Sequence, residues 1–373
     1  MSAKIRVMLV DDSAVVRGMF DRALSADGAF EIVASAGNGE VAISMLRKIQ
    51  VDVIILDVEM PVMGGIEALP HLLEIAPKSR IIMASTLTKQ NAETSIKAMQ
   101  LGAADFIAKP SSRDTIEVSE FYRSVITKVK ALAPHVRTES RPEGVSAKPT
   151  TSSSALTASA PSKGYESIPT PTVPLRKSEQ MRSMGALAIA SSTGGPQALL
   201  SIFREFKGVA LRVPIFITQH MPANFTAILA DHISKACGMD CHEAVEDEEV
   251  KAGVIYVAPG DFHMTAHRVG ASSIRLKLDQ NPPENFCRPS ADPMLRSLSK
   301  IYGDKLLVAV LTGLGADGAR GASDVVNHGG AVVSQDEATS VVYGMPKAVA
   351  DAKITSAVFP LSGLAPFLLR AIA

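Results

Sequence analysis

The sequence lacks the apolar segments that a membrane or exported protein needs. No stretch of about 18 unbroken apolar residues is present, so no transmembrane helix is expected. The one apolar run near the N-terminus stops at Asp11 and Asp12 and is too short for a signal peptide. Net charge is also absent, because Lys plus Arg and Asp plus Glu number 38 each. A neutral chain gives no electrostatic reason to expect nucleic acid or an anionic membrane as its main partner.

Cysteine is scarce, with only Cys237, Cys241 and Cys287 in the chain. An odd number of cysteines without an export signal indicates reduced thiols and a cytoplasmic location. Cys237 and Cys241 lie close to His242, but a fourth ligand and the usual CxxC spacing are missing. A structural zinc site is therefore not expected.

The 373 residues predict two domains separated by a linker. In residues 1–130, apolar runs at 5–10, 53–56, 80–84 and 105–107 alternate with helical periodicity, which is typical of βα units around a parallel sheet. Residues 131–182 are rich in Pro, Ser and Thr and predict a flexible linker. In residues 183–373 the βα alternation returns, which predicts a second, doubly wound α/β domain with a mainly parallel sheet. Its candidate strands are 186–190, 214–218, 254–258, 306–311 and 331–334.

Polar residues with phosphoacceptor chemistry follow the strands of the first domain. Asp11, Asp12, Asp57, Ser85 and Lys109 all lie at strand ends. The carboxyl ends of parallel strands converge on one crevice, where three carboxylates would repel one another unless a cation such as Mg²⁺ lay between them. A lysine and a metal would neutralise phosphoryl oxygens while Asp57 attacks. One acidic residue at a strand end is usually only a turn or helix cap, but the complete set favours a phosphoryl site.

The segments LVDDS, LDVEMPVMGG and DFIAKP, with Ser85 between the last two, resemble the receiver domain of bacterial response regulators, which has a flavodoxin-like fold. The resemblance implies that a histidine kinase phosphorylates Asp57. It implies Mg²⁺ bound by Asp12, Asp57 and the backbone carbonyl of Glu59, with help from Asp11. It also implies that Ser85 and Lys109 sense the phosphoryl group, that Phe106 is an aromatic switch, and that the Lys109–Pro110 bond is cis.

Hydrolase chemistry is indicated in the second domain by three strand ends. The segment LAIASSTGGP places Ser192 on a strand-to-helix turn, IFITQHMP places His220 after the next strand, and LTGLGADGARG places Asp317 in a glycine-rich turn. A serine hydroxyl needs a base to accept its proton, and a carboxylate holds that base in the required tautomer. The loop is neither a Walker A loop nor a GxSxG elbow.

Two alternatives remain at this point. Gly313, Gly315 and Gly318 form a GxGxxG pattern after a strand, and Asp336 follows near the position of a ribose-binding acid. Against a dinucleotide site, Asp317 would place a negative charge beside the pyrophosphate. The other alternative is a response regulator whose second domain binds a partner and hydrolyses nothing.

The motifs ASSTGGP, TQHMP, YVAPGDFHM, RPSADPML, LTGLGADGARG and DEATSVVYGMPKAV resemble the methylesterase domain of the CheB family. The resemblance implies a nucleophile at Ser192, a base at His220 and an orienting acid at Asp317. It also implies an oxyanion donor at the N–H of Leu314, with Thr193 lining the site. The implied activity is demethylation of glutamate γ-methyl esters and deamidation of glutamines on chemoreceptors, without a cofactor for the hydrolase. The implied phosphodonor is the chemotaxis kinase CheA, and the unphosphorylated receiver is expected to cover the catalytic cleft.

Overall fold

The computed structural model describes residues 4–110, 115–138, 173–270 and 273–372. They form two α/β domains, which confirms the predicted fold class. Most of the predicted linker, residues 139–172, lies outside the described residues. Within the described ranges, no helix is long and apolar enough to cross a membrane.

The N-terminal domain is a five-stranded parallel sheet with strand order β2-β1-β3-β4-β5. Its central strands are buried on both faces, as expected for continuous apolar runs covered by helices. The strands are β1 Ile5–Val10, β2 Phe30–Ala36, β3 Val53–Asp57, β4 Arg80–Ser85 and β5 Asp105–Ala108. The helices are α1 Ala14–Ser25, α2 Gly39–Leu46, α3 Gly65–Ile75, α4 Lys89–Gln100 and α5 Thr115–Thr138.

In the N-terminal domain, strand β2 is the strand that the apolar runs do not predict. It lies at the edge of the sheet and is only partly buried, so its sequence FEIVASA mixes charged and apolar residues. Helix α5 also extends to Thr138, beyond the boundary at residue 130 that composition predicts.

The C-terminal domain contains a seven-stranded sheet in which every adjacent pair is parallel. Its order is β14-β13-β12-β6-β7-β9-β8, and a separate antiparallel hairpin is formed by β10 and β11. The strands are β6 Ala186–Ser191, β7 Ile215–Gln219, β8 Cys241–Glu243, β9 Ile255–Val257, β10 His263–Val269, β11 Ser273–Asp279, β12 Leu306–Val310, β13 Ala331–Gln335 and β14 Ala357–Phe359. The helices are α6 Gly195–Arg204, α7 Phe225–Cys237, α8 Ala291–Tyr302, α9 Ala319–Asn327, α10 Met345–Asp351 and α11 Leu361–Ile372.

Strand β6 comes first along this domain, yet it lies in the middle of the sheet between β7 and β12. The chain therefore places β7, β8 and β9 on one side of β6 and later returns to place β12, β13 and β14 on its other side. This arrangement makes the carboxyl end of β6 a topological switch point, where open parallel sheets form a crevice.

The two domains pack directly on each other through α4, which contacts both α6 and α7. At the same interface the ring of Phe106 stacks on that of Phe225, with ring centroids 4.4 Å apart and an interplanar angle of 11°. Because Phe225 begins α7, directly after the loop that carries His220, the contact ties the receiver to one wall of the crevice.

Candidate active site and phosphoacceptor site

In the receiver, three carboxylates converge as the strand ends predict. Oxygen atoms of Asp11, Asp12 and Asp57 all lie within 4.8 Å of one another. The Lys109 ammonium is 2.7 Å from Asp11 Oδ2 and 2.6 Å from Asp57 Oδ1. Burial raises the pKa of Asp57 to about 6, although the hydrogen bond and charge of Lys109 act in the opposite direction.

This donor set fits a hard divalent cation. Carboxylate oxygens are the ligands that Mg²⁺ prefers, and Asp12 is exposed, which leaves room for metal-bound water. The roles of Asp11, Asp12 and Asp57 as metal ligands remain predictions, as does that of the Glu59 carbonyl in the loop after β3.

The predicted phosphate-sensing residues Ser85 and Phe106 contact other residues of the chain. Ser85 Oγ is buried and lies 3.1 Å from Ser95 Oγ. Phe106 is 5% exposed and faces the catalytic domain rather than solvent. The expectation of a cis bond between Lys109 and Pro110 is wrong, because that bond is trans. The trans form is intrinsically preferred before proline by about 0.5–1 kcal/mol.

In the catalytic domain, Ser192 begins a tight loop between β6 and α6. Its N–H donates to the Thr312 carbonyl at 3.0 Å, and its carbonyl accepts from Gly195 at 2.8 Å. Gly194 adopts a left-handed φ of 79°, which glycine tolerates without steric cost. The turn holds the serine beside the N-terminus of α6, where the helix dipole favours negative charge.

His220 is brought beside this loop by strand pairing. Ser191 and Gln219 are paired neighbours on β6 and β7, and the N–H of His220 donates to the Ser191 carbonyl at 3.1 Å. Ser192 and His220 are therefore the next residues along two adjacent strands, whose backbones run about 4.8 Å apart. Gln219 connects the two ends, because it accepts from Ser191 Oγ at 2.7 Å and donates to the Ser192 carbonyl at 2.9 Å.

Asp317 completes the predicted group of three. Its Oδ2 lies 2.6 Å from Nε2 of His220, and its side chain is buried. It also lies at the N-terminus of α8, where it accepts from Ser290 Oγ at 2.6 Å and from the N–H of Ala291 at 2.6 Å. Burial alone would raise the pKa of Asp317, but the His220 hydrogen bond and charge, together with these donors, lower it. Asp317 is therefore held as a carboxylate beside the imidazole.

A second carboxylate supports this arrangement from behind. Asp292 is fully buried, and its Oδ1 accepts the N–H of Gly321 at 2.7 Å. The Asn285 side chain donates to both Asp292 Oδ2 and Asp317 Oδ1, at 2.9 Å each. Burial, together with the charge of Asp317, raises the pKa of Asp292 to about 6. The Asn285 amide thus bridges two carboxylates that would otherwise repel each other.

The other imidazole nitrogen of His220 contacts a cysteine. Cys287 Sγ lies 3.3 Å from His220 Nδ1. Among the described residues, no hydrogen bond joins the Ser192 hydroxyl to His220. The structure therefore brings the three predicted residues to one crevice but leaves the serine and the histidine unconnected in this arrangement.

Two backbone segments frame the space at Ser192. Gly313 packs so closely that a Cβ atom there would lie 2.8 Å from Ser192 Cβ. The N–H of Leu314, the next residue, makes no hydrogen bond to any residue in the described part of the chain. Thr193 is buried, and its hydroxyl donates to Asp105 Oδ2 of the receiver at 2.5 Å. Leu314 thus retains a free donor near the serine, whereas the Thr193 side chain is bound to the other domain.

The receiver forms one wall of a cavity that reaches His220. The cavity has a volume of about 250 Å³ and contains residues of both domains. Phe106, Ala108, Ser124 and Lys128 line it from the receiver, and His220, Met221, Pro222, Phe286, Cys287, Arg288 and Pro289 line it from the catalytic domain. In this arrangement the approach to His220 runs between the domains.

The glycine-rich turn does not offer the side chains that a dinucleotide site needs. Asp317 is committed to His220 and to the N-terminus of α8. Asp336, at the position of a ribose-binding acid, accepts from the Thr339 hydroxyl at 2.5 Å within a local turn. The GxGxxG pattern is explained instead by close packing, because Gly313 lies against Ser192 and Gly318 has a left-handed φ of 84°.

Four contacting residues are missed by the reasoning from strand ends: Gln219, Asn285, Cys287 and Asp292. Gln219 and Asp292 lie within the TQHMP and RPSADPML motifs, so a signal for them is present in the sequence. Asn285 and Cys287 belong to the irregular loop between β11 and α8, and no periodicity marks them.

Comparisons with known proteins agree with both halves of the chain. Residues 7–119 match the response regulator receiver domain model, and residues 187–368 match the CheB methylesterase model. A protein-glutamate methylesterase/protein-glutamine glutaminase of Paramagnetospirillum magneticum is 48% identical, covering 98% of this chain and 96% of that protein. A protein of the same name from Azospirillum brasilense is 48% identical, covering 98% of this chain and 92% of that protein.

Among solved structures, the CheB methylesterase catalytic domain of Thermotoga maritima is 36% identical, covers 51% of this chain and all of that chain, and has a TM-score of 0.49. The relatives match this chain across both domains and over nearly their whole length. The chain therefore belongs to the protein-glutamate methylesterase/protein-glutamine glutaminase family, in which a response-regulator receiver domain is joined to a CheB methylesterase domain.

Proposed function

We propose that this chain hydrolyses glutamate γ-methyl esters on chemoreceptors, releasing methanol, and converts selected receptor glutamines to glutamate, so that it mediates adaptation in chemotaxis. The observation that carries the proposal is the grouping of Ser192, His220 and Asp317 at the topological switch point of the catalytic sheet. Side-chain esters and amides share a carbonyl carbon that an activated serine attacks, so one site serves both reactions.

In the proposed mechanism, the Ser192 hydroxyl attacks the side-chain carbonyl and His220 accepts its proton. Asp317 keeps the imidazole oriented and stabilises the imidazolium that forms. His220 then protonates the leaving methanol or ammonia. Water attacks the acyl-enzyme in a second step, again with His220 as the base, and releases the glutamate product.

The developing oxyanion requires donors that are free before the reaction. The N–H of Leu314 meets this requirement, and Thr193 lies next to the nucleophile on the same loop. Removing one oxyanion donor typically costs about 3–4 kcal/mol of transition-state stabilisation. Because this donor is the backbone N–H of residue 314, it does not depend on which side chain that residue carries.

Phosphorylation of Asp57 is the proposed switch, with the chemotaxis kinase CheA as donor. Mg²⁺ bound by Asp11, Asp12, Asp57 and the Glu59 carbonyl would neutralise charge on the incoming phosphoryl group. Lys109 now binds Asp11 and Asp57, so a phosphoryl group would draw it into new contacts. Ser85 and Phe106 would then change position, and the stack of Phe106 on Phe225 would be lost. The result is a shift toward an arrangement in which receptor helices reach the crevice.

The partners implied are a receptor helix at the catalytic crevice and a kinase at the receiver. Three cysteines without disulfide partners are compatible with the reducing cytoplasm, where we place this reaction.

The decisive test is methanol release from methylated receptor membranes, with and without a small-molecule phosphodonor and Mg²⁺. We expect the phosphodonor to raise the rate in the unmodified chain, and Ser192→Ala to abolish release while leaving the thermal unfolding temperature unchanged. Asp57→Asn should fold and keep the basal rate but lose the response to the phosphodonor. Unaltered methanol release by Ser192→Ala would show that the second domain is a binding module or uses a different nucleophile.

A further inference from the structure

One short loop contacts both members of the Asp317–His220 pair and the receiver domain at once. It joins β11 to α8, and its residues 285–287 point in three directions. Asn285 donates to Asp317 Oδ1 at 2.9 Å, Cys287 Sγ lies 3.3 Å from His220 Nδ1, and Arg123 of α5 lies 3.8 Å from the ring centroid of Phe286.

The backbone of this loop adopts an uncommon conformation to achieve these contacts. Asn285 and Phe286 both have left-handed φ angles, 52° and 64°. Consecutive non-glycine residues in this region cost free energy, and they persist only where surrounding contacts hold them. The Phe286 side chain is 71% exposed, so burial in its own domain does not hold it in place. The guanidinium of Arg123 supplies a contact to its ring, through a cation–π interaction between the domains.

The Cys287 contact has a direct consequence for the base. Asp317 occupies Nε2 of His220 and Cys287 occupies Nδ1. An imidazole has only two nitrogens, so neither remains to accept the Ser192 proton. In this arrangement the receiver covers the crevice, and, as a separate effect, both nitrogens of the His220 imidazole are already in contact with other side chains.

We infer that Cys287 is a positioning residue that holds the His220 imidazole away from Ser192 while the receiver is docked, and that the contact of Phe286 with Arg123 keeps Cys287 there. This inference rests on the proposed hydrolase function. Undocking of α5 releases Phe286, the loop relaxes from its left-handed conformation, and Nδ1 of His220 becomes available to the serine hydroxyl.

The electrostatics of the site agree with this geometry. Burial disfavours the charged imidazolium, but the neighbouring Cys287 and Asp317 outweigh burial and raise the pKa of His220. The groups facing the imidazole are the Cys287 thiol and the Asp317 carboxylate, Asp292 lies behind Asp317, and Lys128 and Arg288 line the same cavity as His220. A raised pKa increases the protonated fraction of the imidazole at neutral pH and so lowers the fraction that is free to accept a proton.

The test is a pH titration of His220 in the full-length, unphosphorylated chain, followed by ¹⁵N NMR of labelled histidine. The chain has eight histidines, so the signal of His220 is identified by its loss in His220→Gln. We expect Cys287→Ala to lower the His220 pKa toward the ordinary value, and Cys287→Ser to restore part of the shift through a hydroxyl hydrogen bond. Phe286→Ala and Arg123→Ala should also lower the pKa of His220, although both variants keep the Cys287 thiol. Glu120→Gln, at an exposed position on the same helix, should leave it unchanged.

Catalysis gives a second readout that does not depend on the access of receptor helices. Hydrolysis of p-nitrophenyl acetate, a small ester, should be faster in Cys287→Ala than in the unmodified chain at pH 7, with the pH profile displaced to lower pH. An unchanged His220 pKa in both Cys287→Ala and Phe286→Ala overturns the inference and leaves the proposed function intact. A Cys287→Ala chain that has lost all methanol release also overturns it, because the thiol would then be required for turnover. Failure of the unmodified, phosphorylated chain to release methanol would instead refute the proposed function.

Discussion

At the scale of single residues, the site depends on close backbone approaches as much as on reactive groups. A Cβ atom at Gly260 would lie 2.2 Å from the Ala223 nitrogen and 2.3 Å from the Pro222 carbonyl carbon. Pro222 is two residues after His220, so this glycine packs closely against the loop that carries His220. Such contacts involve backbone atoms, which have no alternative rotamer to adopt.

We expect Gly260→Ala to reduce the free energy of unfolding by about 1–3 kcal/mol and to lower kcat for methanol release, because the clash moves the His220 loop. Chemical denaturation and steady-state kinetics measure the two effects. Gly363→Ala is the matched control, since a Cβ there meets only ordinary contacts, at 3.5 Å or more. Wild-type activity in Gly260→Ala would mean that the His220 loop tolerates displacement and that the packing at Gly260 does not position His220.

At the scale of elements, parallel strand ends create both sites, since β1 and β3 carry the carboxylates and β6 and β7 lead to the serine and the histidine. Helix α8 adds what the strands do not supply, because its N-terminal N–H groups hold the Asp317 carboxylate. The helix dipole favours negative charge at this end, so the same contacts keep Asp317 ionised.

The carboxylates at the strand ends of the receiver predict that Mg²⁺ binding stabilises the folded chain. We expect Mg²⁺ at ten times its dissociation constant to stabilise the unmodified chain by about 1.4 kcal/mol, because the metal binds only the folded state. Calorimetry with and without Mg²⁺ tests this. Asp12→Ala should lose the stabilisation, whereas Asp52→Ala, which changes a carboxylate outside the cluster, should retain it. Equal stabilisation of Asp12→Ala and the unmodified chain would place the metal elsewhere.

At the scale of the whole molecule, the receiver covers the crevice through α4, β5 and α5. It contributes the Phe106 stack on Phe225, the Asp105 contact with Thr193 and the Arg123 contact with Phe286. Asp105 and Phe106 lie on β5, the strand that leads to Lys109. Arg123 lies on α5, the next element along the chain. A change at Asp57 thus has a short physical route to the hydrolase.

A chain that begins at Gln180 should therefore hydrolyse methyl esters at a rate independent of phosphodonor and above the basal rate of the full chain. The removed receiver covers Phe225 and the outer faces of α6 and α7, so the truncated chain should also bind the dye ANS more strongly. Methanol release per mole of folded protein is the measurement, with the full-length Asp57→Asn chain as the control that stays covered. A truncated chain that releases methanol only at the basal rate would contradict occlusion by the receiver.

The sequence predicted most of the fold from the central strands, because continuous Val, Ile and Leu runs between helices leave few alternatives to a buried parallel sheet. It did not predict β2, β8 or β14, which lie at sheet edges or are only three residues long and have no distinctive apolar run. The β10–β11 hairpin was also missed, because its exposed strands mix charged and apolar residues.

The sequence by itself determined the candidate site residues, since Asp57, Ser192, His220 and Asp317 each follow a recognisable strand or turn. Only the tertiary structure decided that β6 lies between β7 and β12, because strand order depends on long-range pairing that local periodicity does not encode. The same holds for the contacts of Asn285 with Asp317, of Cys287 with His220 and of Arg123 with Phe286, each of which joins residues at least 32 positions apart in the chain. Their contacts arise from the packing of an irregular loop between two domains, and that packing is set by three-dimensional shape rather than by any repeating pattern in the sequence.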